Sequence, residues 1–131
     1  MMKNENFEHC KSIAKDLEKV YNGELFRCPE CGELVQEGTC RCGAEVNEET
    51  AEQMSLYEFF DDALDIEYIC GGRKEYRHVR IMVACGGPNI FIDTGKKAVQ
   101  LYWWTDYAEY PIDSNVCDEI DSIFEEYFNC L

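Results

Sequence analysis

Near the start of the chain, Phe7, Cys10, Ile13, Ala14, Leu17, Val20 and Tyr21 recur at the spacing of one helical face. Lys11, Lys15, Asp16, Glu18 and Lys19 fall on the other side. This pattern predicts an amphipathic helix over residues 6–21, capped by Asn4 or Asn6 and stopped at Asn22-Gly23. A second helical stripe, Leu56, Phe59, Phe60, Ala63 and Leu64, predicts a helix over 47–64. Asn47 is its expected N-cap, with Glu48 and Glu49 in the first turn, where the helix dipole favours acids.

The period then changes to two. Residues 66–70 read as a short strand, and residues 76–85 alternate, with Val79, Ile81, Val83 and Cys85 on one face and Tyr76, His78, Arg80, Met82 and Ala84 on the other. Gly86-Gly87-Pro88-Asn89 and Asp93-Thr94-Gly95-Lys96 are turns that separate further strands at 89–93 and 98–104. The short spacers predict an antiparallel meander. Residues 105–112 read as an aromatic loop ending near Pro111, and Asp113 or Ser114 caps a last helix whose stripe is Val116, Ile120, Ile123, Phe124 and Tyr127. The expected fold class is therefore α+β. Its four-stranded antiparallel sheet has the second and last helices on the face of Val79, Ile81 and Val83. An N-terminal helix (1–23) and an inserted ribbon (24–46) sit at an edge of the 47–131 domain.

The segment left between the first two helices carries the chemistry. Cys28-Pro29-Glu30-Cys31 and Cys40-Arg41-Cys42 are two close cysteine pairs, followed by Gly32 and Gly43. Zn²⁺ takes four thiolates at tetrahedral angles. Two cysteines this close converge on one ion across a tight turn, and glycine supplies the left-handed backbone such a turn needs. Iron accepts the same four thiolates. Disulfides fit less well, because nine cysteines is an odd number and no apolar leader region opens the sequence. A redox CxxC fits less well too, for such a motif usually opens a helix within a βαβ unit. Four thiolates close the coordination sphere and leave no position for a water or substrate.

At these residues the chain resembles the short bacterial zinc-ribbon family, whose pattern is CPxCG, a brief loop with a turn glycine, then CxxCG. Cys28, Pro29, Cys31, Gly32, Gly38, Cys42 and Gly43 match, while Cys40-Arg41-Cys42 is one residue shorter than the family's second knuckle. The resemblance implies a structural Zn²⁺ held by Cys28, Cys31, Cys40 and Cys42. The second half, with GGPNIFIDT, AVQLYWWTDYAEYP and the closing acidic helix, resembles small uncharacterised proteins of phages and integrated mobile elements over roughly residues 56–129.

Composition narrows the function classes. The formal net charge is −15, from 27 acidic and 12 basic residues. Such a chain should repel nucleic acid and anionic lipid, so no direct nucleic-acid or membrane binding is expected. No apolar run is long enough for a membrane span. The expected location is cytoplasmic, with reduced cysteines, and Cys10, Cys70, Cys85, Cys117 and Cys130 serving mostly as small buried apolar residues.

Three groupings outside the ribbon are candidate sites. Asp118, Asp121 and Glu125 share a face of the last helix, as a solvated face, as a surface for a basic protein partner or, without the loop of an EF-hand, as a divalent-cation site. Trp103 and Trp104 must point to opposite faces of a strand, so one is either covered by another element or offered as an interface anchor. Arg73, Lys74, Arg77 and Arg80 on the first hairpin are expected to form ion pairs with the acidic helices. Catalytic patterning is weak: Cys85 ahead of Gly86-Gly87, with His78, is the one arrangement that would suit a small hydrolase or ligand-binding site. The sequence thus points to a non-enzymatic, highly acidic zinc-ribbon protein that binds a basic partner, with the hydrolase and a plain structural adaptor as alternatives.

Overall fold

The computed structural model describes residues 3–131, with side chains from Glu5 onward. The first helix, α1, spans Lys3–Tyr21. Of its two expected caps, the Asn4 side chain lies outside the described set and Asn6 lies inside the helix, buried. The stop is as expected. Gly23 has φ 74°, the Gly23 N–H donates to the Val20 carbonyl at 3.1 Å, and the Glu24 N–H donates to that of Lys19 at 2.8 Å. This is the paired bonding of a glycine-terminated helix end.

The ribbon follows as five two-residue strands: β1 (Phe26–Arg27), β2 (Leu34–Val35), β3 (Gly38–Thr39), β4 (Glu45–Val46) and β5 (Glu52–Gln53). β1 lies between β2 and β5, and β3 pairs with β4, all antiparallel. Its sheet thus reaches past Val46, through β5.

The helix expected over 47–64 does not form as one piece. Asn47 does cap: its Oδ1 accepts from the Glu49 and Thr50 N–H groups at 2.8 and 3.1 Å. It closes only a turn, because Glu48–Gln53 offers no apolar stripe to bury, and β5 bonds to β1 instead. Ser55 restarts the helix by accepting from the Glu58 N–H, and α2 is Leu56–Phe59 alone.

The main sheet has five antiparallel strands rather than four. They are β6 (Asp65–Cys70), β7 (Tyr76–Ala84), β8 (Asn89–Asp93), β9 (Ala98–Trp103) and β10 (Asp106–Pro111), in the order β10-β9-β8-β7-β6. The extra strand is the expected aromatic loop. Asp106, Ala108 and Tyr110 alternate in burial with Tyr107, Glu109 and Pro111, and Pro111 ends a strand at the sheet edge, where a missing N–H is tolerated. The turn before it carries no sequence signal, because it lacks glycine and asparagine. Trp104 takes φ 56° there, a region bulky residues avoid. The last helix, α3, spans Ser114–Asn129 behind an Asp113 cap.

One core joins the three helices to one face of this sheet. Cys10, Leu17 and Val20 of α1, Leu56 of α2, and Ile120 and Phe124 of α3 pack on Val79, Ile81, Ile92, Val99 and Leu101. α1 lies over the helix-side face of β9 and β10, at the β10 edge of the sheet: Phe7 and Tyr110 rings sit 5.5 Å apart, and the Cys10 thiol reaches the Ala108 carbonyl. Two irregularities in β7 alter the expected faces. One beside Cys70 brings Tyr76 to the helix side, where it meets Phe128, and one between Met82 and Ala84 brings Ala84 toward the core. No helix among the described residues is long and apolar enough to cross a membrane.

Candidate metal centre

Two turns bring the four ribbon thiols together. In the first, the Gly32 N–H donates to the Cys28 carbonyl at 2.9 Å and the Cys28 N–H to that of Glu33 at 2.8 Å. In the second, the Gly43 N–H donates to the Cys40 carbonyl and the Cys40 N–H to that of Ala44, both at 2.8 Å. The shorter second knuckle is accommodated by closing its turn one residue earlier, with Gly32 and Gly43 at φ 77° and 96°.

The Sγ atoms of Cys28, Cys31, Cys40 and Cys42 all lie within 4.8 Å of one another, with Cys28 to Cys42 at 3.6 Å and Cys31 to Cys40 at 3.5 Å. Tetrahedral ligands about 2.3 Å from an ion stand about 3.8 Å apart. The donor set therefore fits a tetrahedral, thiolate-binding metal ion. Cys28 and Cys40 are buried with Phe26 and Val46 in a small core of their own, while Cys31 and Cys42 face outward. The Cys31 backbone N–H, more than any other neighbour, pulls the Cys28 thiol down to about 6. Outside the ligands, Arg41 donates to Glu33 at 2.8 Å and Arg27 to the Gly32 carbonyl at 3.1 Å, tying the first knuckle to its surroundings.

The other expected residues are dispersed. Asp118 and Glu125 are exposed on α3, but Asp121 turns to the sheet. Its Oδ1 accepts from the Tyr76 hydroxyl at 2.5 Å and the Thr94 hydroxyl at 2.7 Å, while Thr94 Oγ1 accepts from the Val79 N–H at 3.0 Å. Asp121 thus links α3 to β7 and to the turn after β8. Asp121→Ala strands two partly buried hydroxyls and should lower stability by about 2–4 kcal/mol, read from a urea melt. Asp118→Ala, at an exposed position, should change it by less than about 0.5 kcal/mol.

Trp103 packs on the core, whereas Trp104, 89% exposed at the β9–β10 turn, meets only its edge with ring centroids 6.2 Å apart. Cys85 and His78 are not brought together. Cys85 lies just beyond one end of β7 and His78 near the other, roughly 23 Å away at the rise of a strand. Of the cysteines outside the ribbon, Cys10 and Cys117 are buried, and burial pushes each thiol up to about 11. Cys70, Cys85 and Cys130 are exposed, contrary to expectation, because they stand at strand and helix ends. All nine cysteines are unbridged. Of the basic set, Arg77 pairs with Glu75 at 3.7 Å and Arg80 stacks on the Phe91 ring at 3.6 Å rather than on an acidic helix.

Comparison of the chain with protein-family models, with curated proteins and with solved structures found no match.

Proposed function

We propose that this chain is a non-enzymatic binding module, stapled by a structural Zn²⁺ at Cys28, Cys31, Cys40 and Cys42, whose acidic surface meets a basic surface on a protein partner. The observation that carries this reading is the imbalance of charge in space. Against 27 acids, the described residues form four ion pairs, all at the surface. Carboxylates such as Asp118, Glu119, Glu125 and Glu126 stand in solvent without a cation partner among the described residues. Such a surface steers and orients a positively charged partner. Trp104 supports a separate anchor at the β9–β10 turn: a large ring offered to solvent on a strained backbone is a poor choice for stability alone. Nine unbridged thiols suit a reducing, cytoplasmic setting, and the resemblance of the second half suits a phage or mobile-element origin. The hydrolase alternative loses its support with the separation of Cys85 from His78.

The test is capture of partners from host lysate at about 50 and about 200 mM salt. Capture should fall at the higher salt, and fall again with the double variant Asp118→Ser, Glu125→Ser. Trp104→Gly should reduce capture too, yet leave stability within about 1 kcal/mol. Relief of the left-handed backbone offsets the lost edge contact with Trp103. Partners recovered undiminished by both changes would remove the acidic face and the anchor from the reading.

A further inference from the structure

Between α2, β6 and α3 runs an open groove of about 370 Å³ whose walls include Tyr57, Ile66, Tyr68, Phe124, Tyr127 and Leu131. Its rim leaves apolar surface in water: Tyr57 is 48% exposed, Ile66 37%, Tyr127 50% and Leu131 71%. The cause is the shortness of α2, which ends at Phe59, so that no element among the described residues covers the seam where α3 lies along the sheet. β6 forms the floor of that seam and is an edge strand, paired with β7 on one side and, among the described residues, with nothing on the other. An edge strand presents a row of free N–H and C=O groups, a template for one more strand.

We propose that this seam is a docking site for an extended polypeptide segment of a partner, which adds to the free edge of β6 as a sixth strand. The inference rests on the basic-partner reading above and states which part of the partner is held. The pattern of β6 itself dictates the occupant. Ile66 and Tyr68 point to the helix side, while Asp65 and Glu67 are exposed on the other side of the sheet. A strand laid alongside places alternate side chains next to each set. Residues beside Ile66 and Tyr68 enter the groove and must be apolar, and those beside Asp65 and Glu67 are favoured as lysine or arginine. The groove rim adds Asp61, and Glu126 accepts from the Tyr57 hydroxyl at 3.4 Å. A second copy of this chain is a poor occupant, because pairing β6 with itself would set its acids against one another.

The probe is a blocked seven-residue peptide alternating lysine with valine and isoleucine, long enough to span the six residues of β6, and titrated into the zinc-loaded protein by NMR. Three companions go with it: the same peptide with glutamate for lysine, and two in which alternate backbone amides are N-methylated, in either phase. The lysine peptide should shift the amides of residues 65–70 and the groove side chains. One methylated phase should bind about tenfold more weakly than the other, since a strand bonds through one set of amides only. Ile66→Lys and Tyr127→Ser, on opposite walls and both partly exposed, should each weaken binding about tenfold without loss of amide dispersion. Shifts confined to α3, sensitive to salt but indifferent to Ile66→Lys, would overturn strand addition and leave the acidic-surface reading intact. Glutamate and lysine peptides bound equally well at the groove would uphold strand addition and overturn the basic-partner reading. No shift at residues 65–70 with any of the peptides, or equal binding of both methylated phases, overturns the inference.

Discussion

Stripping the metal with a chelator is expected to unfold the ribbon and leave the five-stranded domain standing. The ribbon's private core is four buried residues, and two of them are the ligands Cys28 and Cys40. Its strands are two residues long, far too short to hold without a staple. Structural zinc supplies about 10–16 kcal/mol to domains of this kind, so its loss exceeds what four buried side chains can replace. The damage should end where Leu25 and Met54, joined by a 2.9 Å hydrogen bond from the Met54 N–H, enter the main core. Amide resonances of residues 26–53 should collapse toward random-coil positions on chelation, and those of 65–129 should keep their dispersion. Cys28→Ser should reproduce this in the presence of zinc. Metal analysis should return about one zinc per chain, the content of a single closed tetrathiolate site. A ratio near zero, or loss of the whole spectrum together, would contradict both the centre and its independence.

Ile81→Asp is expected to prevent folding. Ile81 is wholly buried, paired with Ile66 on one side and Ile92 on the other, beneath the helices. Removing the aliphatic side chain from such a site costs about 2–5 kcal/mol, and an unpaired carboxyl buried in its place costs several more. Whole domains are stable by only about 5–15 kcal/mol. Val83→Asp, two residues on, should be milder, because Val83 is half-buried where β7 slips its register against β8. Circular dichroism and urea melts of the two variants test the ranking. A folded Ile81→Asp would mean that the helices do not cover this face.

The local signals were legible where one chemical preference had no rival. The Asn22-Gly23 stop, the Asp113 cap, the alternating strands and the two cysteine knuckles all depend on residues within a few positions of each other, and each lies where its pattern placed it. The helix expected over 47–64 failed because capping was decided against tertiary pairing. Asn47 caps a turn, but Glu52 and Gln53 had an open strand edge at Phe26–Arg27 to bond to, and a helix there would have buried nothing. The fifth strand was hidden by a turn built on Trp104, a residue that no turn rule favours.

By itself, then, the sequence determined the α+β class, the four thiols and the excess of acid, because composition, periodicity and short spacings are properties of the chain read locally. The tertiary structure decided how those parts are used. It laid α1 over the face of β9 and β10, the edge pair of the sheet, where Cys10 and Leu17 join the main core. It turned Asp121 inward, because Tyr76 and Thr94 arrive beneath it from distant positions. It separated His78 from Cys85 along one rigid strand. By cutting α2 short it also opened the apolar seam beside β6, a consequence of which strands pair and which do not, and no local pattern carries that.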